Sequence, residues 1–67
     1  MHFDFTDLEA FLTLSRTLNV THAAEELRVT PSAVSLRLKR LERELDTTLF
    51  YRESRGLSLS PAGHAFK

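Results

Sequence analysis

The chain has 67 residues, nine Lys or Arg against nine Asp or Glu, and a net charge of zero. One small domain of this size buries only about 60% of the surface its unfolded chain exposes, so its core is thin and must come from aliphatic helix packing. Cysteine is absent, which removes disulfide staples and the usual thiolate zinc site. No apolar run approaches the roughly 20 residues of a membrane span. "MHFDFTDLE" carries acids where a secretory signal carries a basic region, so a cytoplasmic location is expected.

The first helix is predicted over "TDLEAFLTLSRTL". Thr6 and Glu9 fit a capping box, and Leu8, Phe11, Leu12 and Ser15 recur at the spacing of one helical face. Asp7 and Glu9 suit the positive end of the helix dipole, and Asn19 is expected in the turn that closes the helix. A short second helix, "THAAEEL", is expected to start with Thr21 as its N-cap and to pack through Ala23, Ala24 and Leu27.

Thr30 followed by Pro31 reads as an N-cap and first helical residue, opening a third helix over about 31–45. At 100° per residue Val34, Leu38, Leu41 and Leu45 gather on one side. Ser32, Leu36 and Arg43 gather opposite, flanked by Ser35, Lys39 and Arg40, so Leu36 is the leucine that points outward. Only a few residues join the second and third helices, as in a helix-turn-helix. "TTLFYR" and the alternating "LSLS" then suggest two strands hairpinned around Arg55 and Gly56. Ser60-Pro61 repeats the helix-opening pattern, and the fourth helix expected there would reach Lys67 after barely two turns, which suggests a longer natural chain.

The fold class expected is therefore mainly α: a winged helix-turn-helix of three helices, a two-stranded wing, and the start of a fourth helix. From Leu27 to Leu41 the only charges are Arg28, Arg37, Lys39 and Arg40, whereas Asp4, Asp7 and Glu9 load the first segment. Such segregation can orient a neutral domain on a polyanion. The major groove of B-DNA admits one helix, and a recognition helix reads base edges through its N-terminal residues. Pro31, Ser32, Ser35 and Leu36 are the candidates for base contact. Serine hydroxyls read either base type with modest discrimination, and Leu36 suits the thymine methyl. Candidates for the DNA backbone are Lys39, Arg40, Arg43, Arg52 and Arg55, with the helix starts at Thr21 and Thr30. His2, His22 and His64 lack metal-ligand spacing, and there is no phosphate loop or nucleophile motif, so neither an enzyme nor a metal or cofactor site is expected. The alternative is a winged-helix module that binds protein without reading DNA.

"FTDLEAFLTLSRTLNVTHAAEELRVTPSAVSLRLKRLERELDTTLFYRESRGLSLSPAGHAF" resembles the N-terminal DNA-binding domain of LysR-type transcriptional regulators along nearly its whole length. The resemblance rests on the order and spacing of the "L..F" first helix, "THAAEEL", "VTPSAVSLRLKRLERELDTTLFYR" and "LSLSPAG". It implies a bacterial transcription factor with a DNA-binding domain over 1–60 and a linker or dimerisation helix from 61–67 onward. It further implies a homodimer on a partly palindromic operator and a C-terminal domain that takes a small-molecule effector. Members usually carry glutamine where Pro31 stands, and often arginine or another polar residue where Leu36 stands. That departure implies a contact less hydrogen-bonded and more dependent on thymine. Leu18 and Asp46 occupy positions where glycine is common in the family's helix-ending turns. Asp46 is expected to approximate glycine's backbone angles, and Leu18 to pass that role to Asn19.

Overall fold

The computed structural model describes residues 4–54 and 56–67 of the chain. The elements run α1 (Phe5–Thr17), α2 (Val20–Leu27), α3 (Pro31–Leu45), β1 (Phe50–Glu53), β2 (Gly56–Leu59) and α4 (Pro61–Phe66). The strands pair antiparallel, Phe50 opposite Leu59 and Glu53 opposite Gly56. This is the expected winged helix-turn-helix, with the opening turns of a fourth helix after the wing.

Local chemistry sets most boundaries. Thr30 caps α3, its hydroxyl accepting from the Ala33 N–H at 3.1 Å, and Pro31 takes the first position, where a missing N–H costs no hydrogen bond. Ser60 does the same for α4: its Oγ accepts from the Gly63 N–H at 2.9 Å and donates to the Thr48 carbonyl at 2.5 Å. Gly63 is required there, because a Cβ would collide with the Leu49 carbonyl oxygen and the Leu59 side chain. Asp46 closes α3 at φ 52°, as its glycine-like role predicts.

Three expectations about where the first two helices begin and end are corrected. The capping box at Thr6 and Glu9 does not form: Asp4 is the N-cap, its carboxylate accepting from the Asp7 N–H at 3.1 Å and from the Thr6 hydroxyl at 2.5 Å. The aspartate outcompetes Thr6 because a charged acceptor at the helix's positive end makes the stronger cap. Thr21 does not cap α2 either. Asn19 does, accepting from the His22 N–H at 3.0 Å. With Asn19 extended at φ −148°, the left-handed turn that closes α1 falls to Leu18 itself, at φ 53°.

The core joins Phe11 and Leu14 of α1, Ala23 and Ala24 of α2, Val34 and Leu41 of α3, and Leu49 and Phe50 at the entry to the wing. The buried side of α1 is Asp7, Ala10, Phe11, Leu14 and Ser15; Leu12, expected inside, is 48% exposed. Phe11 meets Phe50 at a centroid distance of 5.6 Å and Phe66 at 5.2 Å, edge-on to the latter, which ties both wing and α4 to α1. Glu42 fixes the path out of α3: its Oε2 accepts from the N–H groups of Leu49 (2.7 Å) and Phe50 (3.3 Å).

Candidate nucleic-acid interface

The stripe Val34, Leu38, Leu41 and Leu45 that the periodicity assigns to the interior of α3 is inside: Val34 and Leu41 are fully buried, and the other two are half-buried against the same cluster. Burying that side turns Pro31, Ser32, Leu36, Lys39 and Arg43 to solvent. Leu36 is 61% exposed, so a leucine stands in the open between Ser32 one turn before and Lys39 one turn after. Ser35 lies on the flank, half-buried. None of the exposed residues at the start of this helix carries an amide or guanidinium able to make a two-point hydrogen bond to a base.

The start of α3 keeps a few donors that the cap does not consume. Thr30 accounts for the Ala33 and Val34 N–H groups and Pro31 has none, which leaves the N–H and hydroxyl of the exposed Ser32 at the positive end of the helix. Thr21, although not the N-cap, is exposed in the first turn of α2. It lines an open groove of about 270 Å³ between the start of α2 and the wing, whose other lining residues include Arg52, Glu53 and Leu57. The structure thus brings together Thr21 and Arg52. Arg55, the other wing arginine singled out, lies outside the described residues.

Arg40 differs from its neighbour Lys39. Its Nε and Nη2 donate to the two carboxylate oxygens of Asp7 at 2.9 and 2.5 Å, linking the first turn of α1 to the middle of α3. The Asp7 side chain is 1% exposed, while that of Arg40 is 43% exposed. The hydrogen bonds from Arg40 to Asp7, and then the attraction of that charge, raise the arginine's pKa further above its already high ordinary value. Arg40 is therefore a positioned cation with one edge committed, whereas Lys39 is exposed and makes no ion pair among the described residues. Sequence reasoning placed Asp7 at the helix dipole and missed this pair. A signal existed: Asp7, Ala10, Phe11 and Leu14 follow helical spacing, which puts a carboxylate on the buried stripe and calls for a cation opposite.

Leu45, Thr47, Leu49, Ala62, Ala65 and Phe66 line a shallow, mainly apolar groove between the end of α3 and α4. Among the described residues no group of three or more His, Cys, Asp or Glu side chains could hold a metal ion. No helix among them is long and apolar enough to cross a membrane.

Comparison with known proteins places the fold in a family. The family described as bacterial regulatory helix-turn-helix protein, lysR family, matches residues 5–64. The HTH-type transcriptional regulator YofA of Bacillus velezensis is 46% identical over 57 residues, covering 85% of this chain and 20% of its own length. A LysR-family transcriptional regulator from Eggerthella lenta superposes with a TM-score of 0.87 at 41% identity, over 94% of this chain and 90% of that one. Vibrio fischeri DarR, solved in complex with DNA, superposes with a TM-score of 0.92 at 36% identity, over 98% of this chain and 23% of its own. The chain spans about a fifth of the length of the curated relatives it matches. Those relatives are transcriptional regulators rather than enzymes.

Proposed function

This chain belongs to the lysR family of bacterial regulatory helix-turn-helix proteins, and from that premise we propose that it binds double-stranded DNA by laying the outward side of α3 in a major groove. The observation that carries the reading is the division of α3: a continuous aliphatic side is buried, and the opposite side shows small, hydroxyl-bearing and basic groups to solvent. Pro31, Ser32, Ser35 and Leu36, at the N-terminal half, meet base edges. Lys39 and Arg43 meet phosphates, which position the helix without reading sequence. Thr21 and Thr30, at helix starts, and Arg52, on the wing, extend the backbone contact to either side.

Arg40 keeps its proposed place in the backbone contact with a second role. Clamped by Asp7, it offers its uncommitted edge from a fixed position instead of sweeping the surface as a flexible lysine does. Residues 1–60 form the DNA-binding unit of this proposal, and 61–67 the first turns of a linker helix. The apolar groove beside α4 supports a homodimer in which that helix pairs with a second copy, giving two recognition helices for a partly palindromic operator. The proposal extends to a transcription factor in the cytoplasm of a bacterium, whose effector is a small molecule bound by a further domain.

Salt tests the reading directly. The affinity for a duplex should fall steeply as salt rises, log K dropping by about 0.9 per tenfold change in salt for each phosphate neutralised. A winged-helix module that docks on protein through apolar contact would give a flat salt response with duplex DNA, and that result would replace the present reading.

A further inference from the structure

We infer that this domain selects its sites largely through the C5-methyl groups of pyrimidines, with Leu36 as the residue that senses them. The inference rests on the proposed docking of α3 and adds the chemical group that is read. Leu36 is 61% exposed on the outward side of the helix, one turn beyond Ser32 and one turn before Lys39. Among the described residues it belongs neither to the core cluster nor to the apolar side chains packed against it. The major-groove edge of a base pair offers ring nitrogens, carbonyl oxygens, exocyclic amines and one apolar group, the C5-methyl of thymine. A leucine answers only the last.

The surrounding residues sharpen the point. Two-point hydrogen bonding to guanine needs arginine or lysine, and to adenine asparagine or glutamine. Over the first two turns of α3 the groove side holds Pro31, Ser32, Ser35 and Leu36, none of which is among these. Ser32 and Ser35 accept or donate with little discrimination, so Leu36 carries most of the choice. Its selectivity is for a substituent rather than a base: 5-methylcytosine places the same methyl at the same point of the groove and should substitute for thymine there. Each methyl removed from contact should weaken binding about fourfold.

The test begins with the 67-residue chain enriching sites from a pool of random duplexes. The preferred duplex is then remade with deoxyuridine replacing thymidine at each position under α3, which deletes the methyl and leaves every hydrogen-bonding group in place. Binding of the parent should fall about fourfold per methyl removed. Leu36→Ala should bind the thymidine and deoxyuridine duplexes equally, and with the parent's melting temperature because the side chain is exposed. Cytosine tested at the same position should bind more tightly once methylated at C5. Equal affinity of the parent for thymidine and deoxyuridine duplexes would overturn the inference while leaving salt-dependent DNA binding intact. A methyl preference that survives in Leu36→Ala would overturn the role of Leu36. Absence of any salt-sensitive duplex binding would remove the DNA reading itself, and the inference with it.

Discussion

The two sides of α3 are built from overlapping residue types and do opposite work. Leu41 and Leu36 are the same amino acid on one helix, five residues apart; the first is fully buried and the second 61% exposed. What separates them is angle, not composition. Leu41 sits with Val34, Leu38 and Leu45 on the arc that packs into the core cluster, and Leu36 sits with Ser32 and Arg43 on the arc exposed to solvent. A lone exposed leucine is ordinary on a protein surface; Leu36 matters to the functional reading because it stands on the same arc as Ser32, Lys39 and Arg43, opposite the buried stripe.

The largest expected effect lies on the inner side. Leu41→Ala should destabilise the domain by about 2–4 kcal/mol through lost burial and a residual cavity, whereas Leu36→Ala should stay within about 0.5 kcal/mol of the parent; denaturant melts of the two variants compare them. The boundary between the sides comes next. Glu42→Ala removes the acceptor for two backbone N–H groups and should cost about 1.5–3 kcal/mol, with the loss read in the same melts.

Lys39 and Arg40 sharpen the comparison, since adjacent cations should fail differently. Lys39→Ala should leave the melting temperature unchanged, weaken binding to all duplexes alike and flatten the salt slope by about one unit. Arg40→Ala should also lower the melting temperature, because it leaves the buried Asp7 carboxylate without its cation. Equal melting temperatures for the two variants would show that the ion pair contributes nothing to folding.

The smallest effect concerns the cap of α1. Hydrogen bonds from the Thr6 hydroxyl, and then from the Asp7 N–H, hold the Asp4 carboxyl below the ordinary aspartate range. A depressed folded-state pKa makes the cap's contribution complete above the unfolded value and progressively lost as pH falls through the folded one. The stability difference between the parent and Asp4→Asn should therefore be constant above about pH 5 and shrink below about pH 4. A difference that grows on acidification would contradict the cap assigned to Asp4.

Much of this architecture was legible in the residues. Thr30-Pro31 and Ser60-Pro61 mark helix starts by a mechanism that needs no tertiary partner, and the 100° repeat of α3 identifies both its sides. The errors fall where two local solutions compete. Asp4 and Thr6 each could cap α1, and only the finished structure shows the aspartate holding both the Asp7 N–H and the Thr6 hydroxyl. Between α1 and α2 only Leu18 and Asn19 remain; once Asn19 is used as a cap, Leu18 must take the left-handed turn despite its side chain. The face of α1 was rotated because the periodicity counted Leu12 as core and excluded Asp7. A buried charge breaks a hydrophobic pattern, and its partner, 33 positions away at Arg40, is invisible to any local window. The exposure of Pro31, Ser32, Leu36, Lys39 and Arg43 was legible for a related reason: these residues lie away from the buried stripe of their own helix.

The most direct measurement is an amide and methyl NMR titration of the 67-residue chain with duplex DNA. The resonances of Ser32, Ser35, Leu36, Lys39 and Arg43 should move together and saturate at one stoichiometry, and those of Val34 and Leu41 should move little. Shifts confined to α1 around Leu12, with the outward side of α3 unmoved, would contradict the docking on which the functional reading depends.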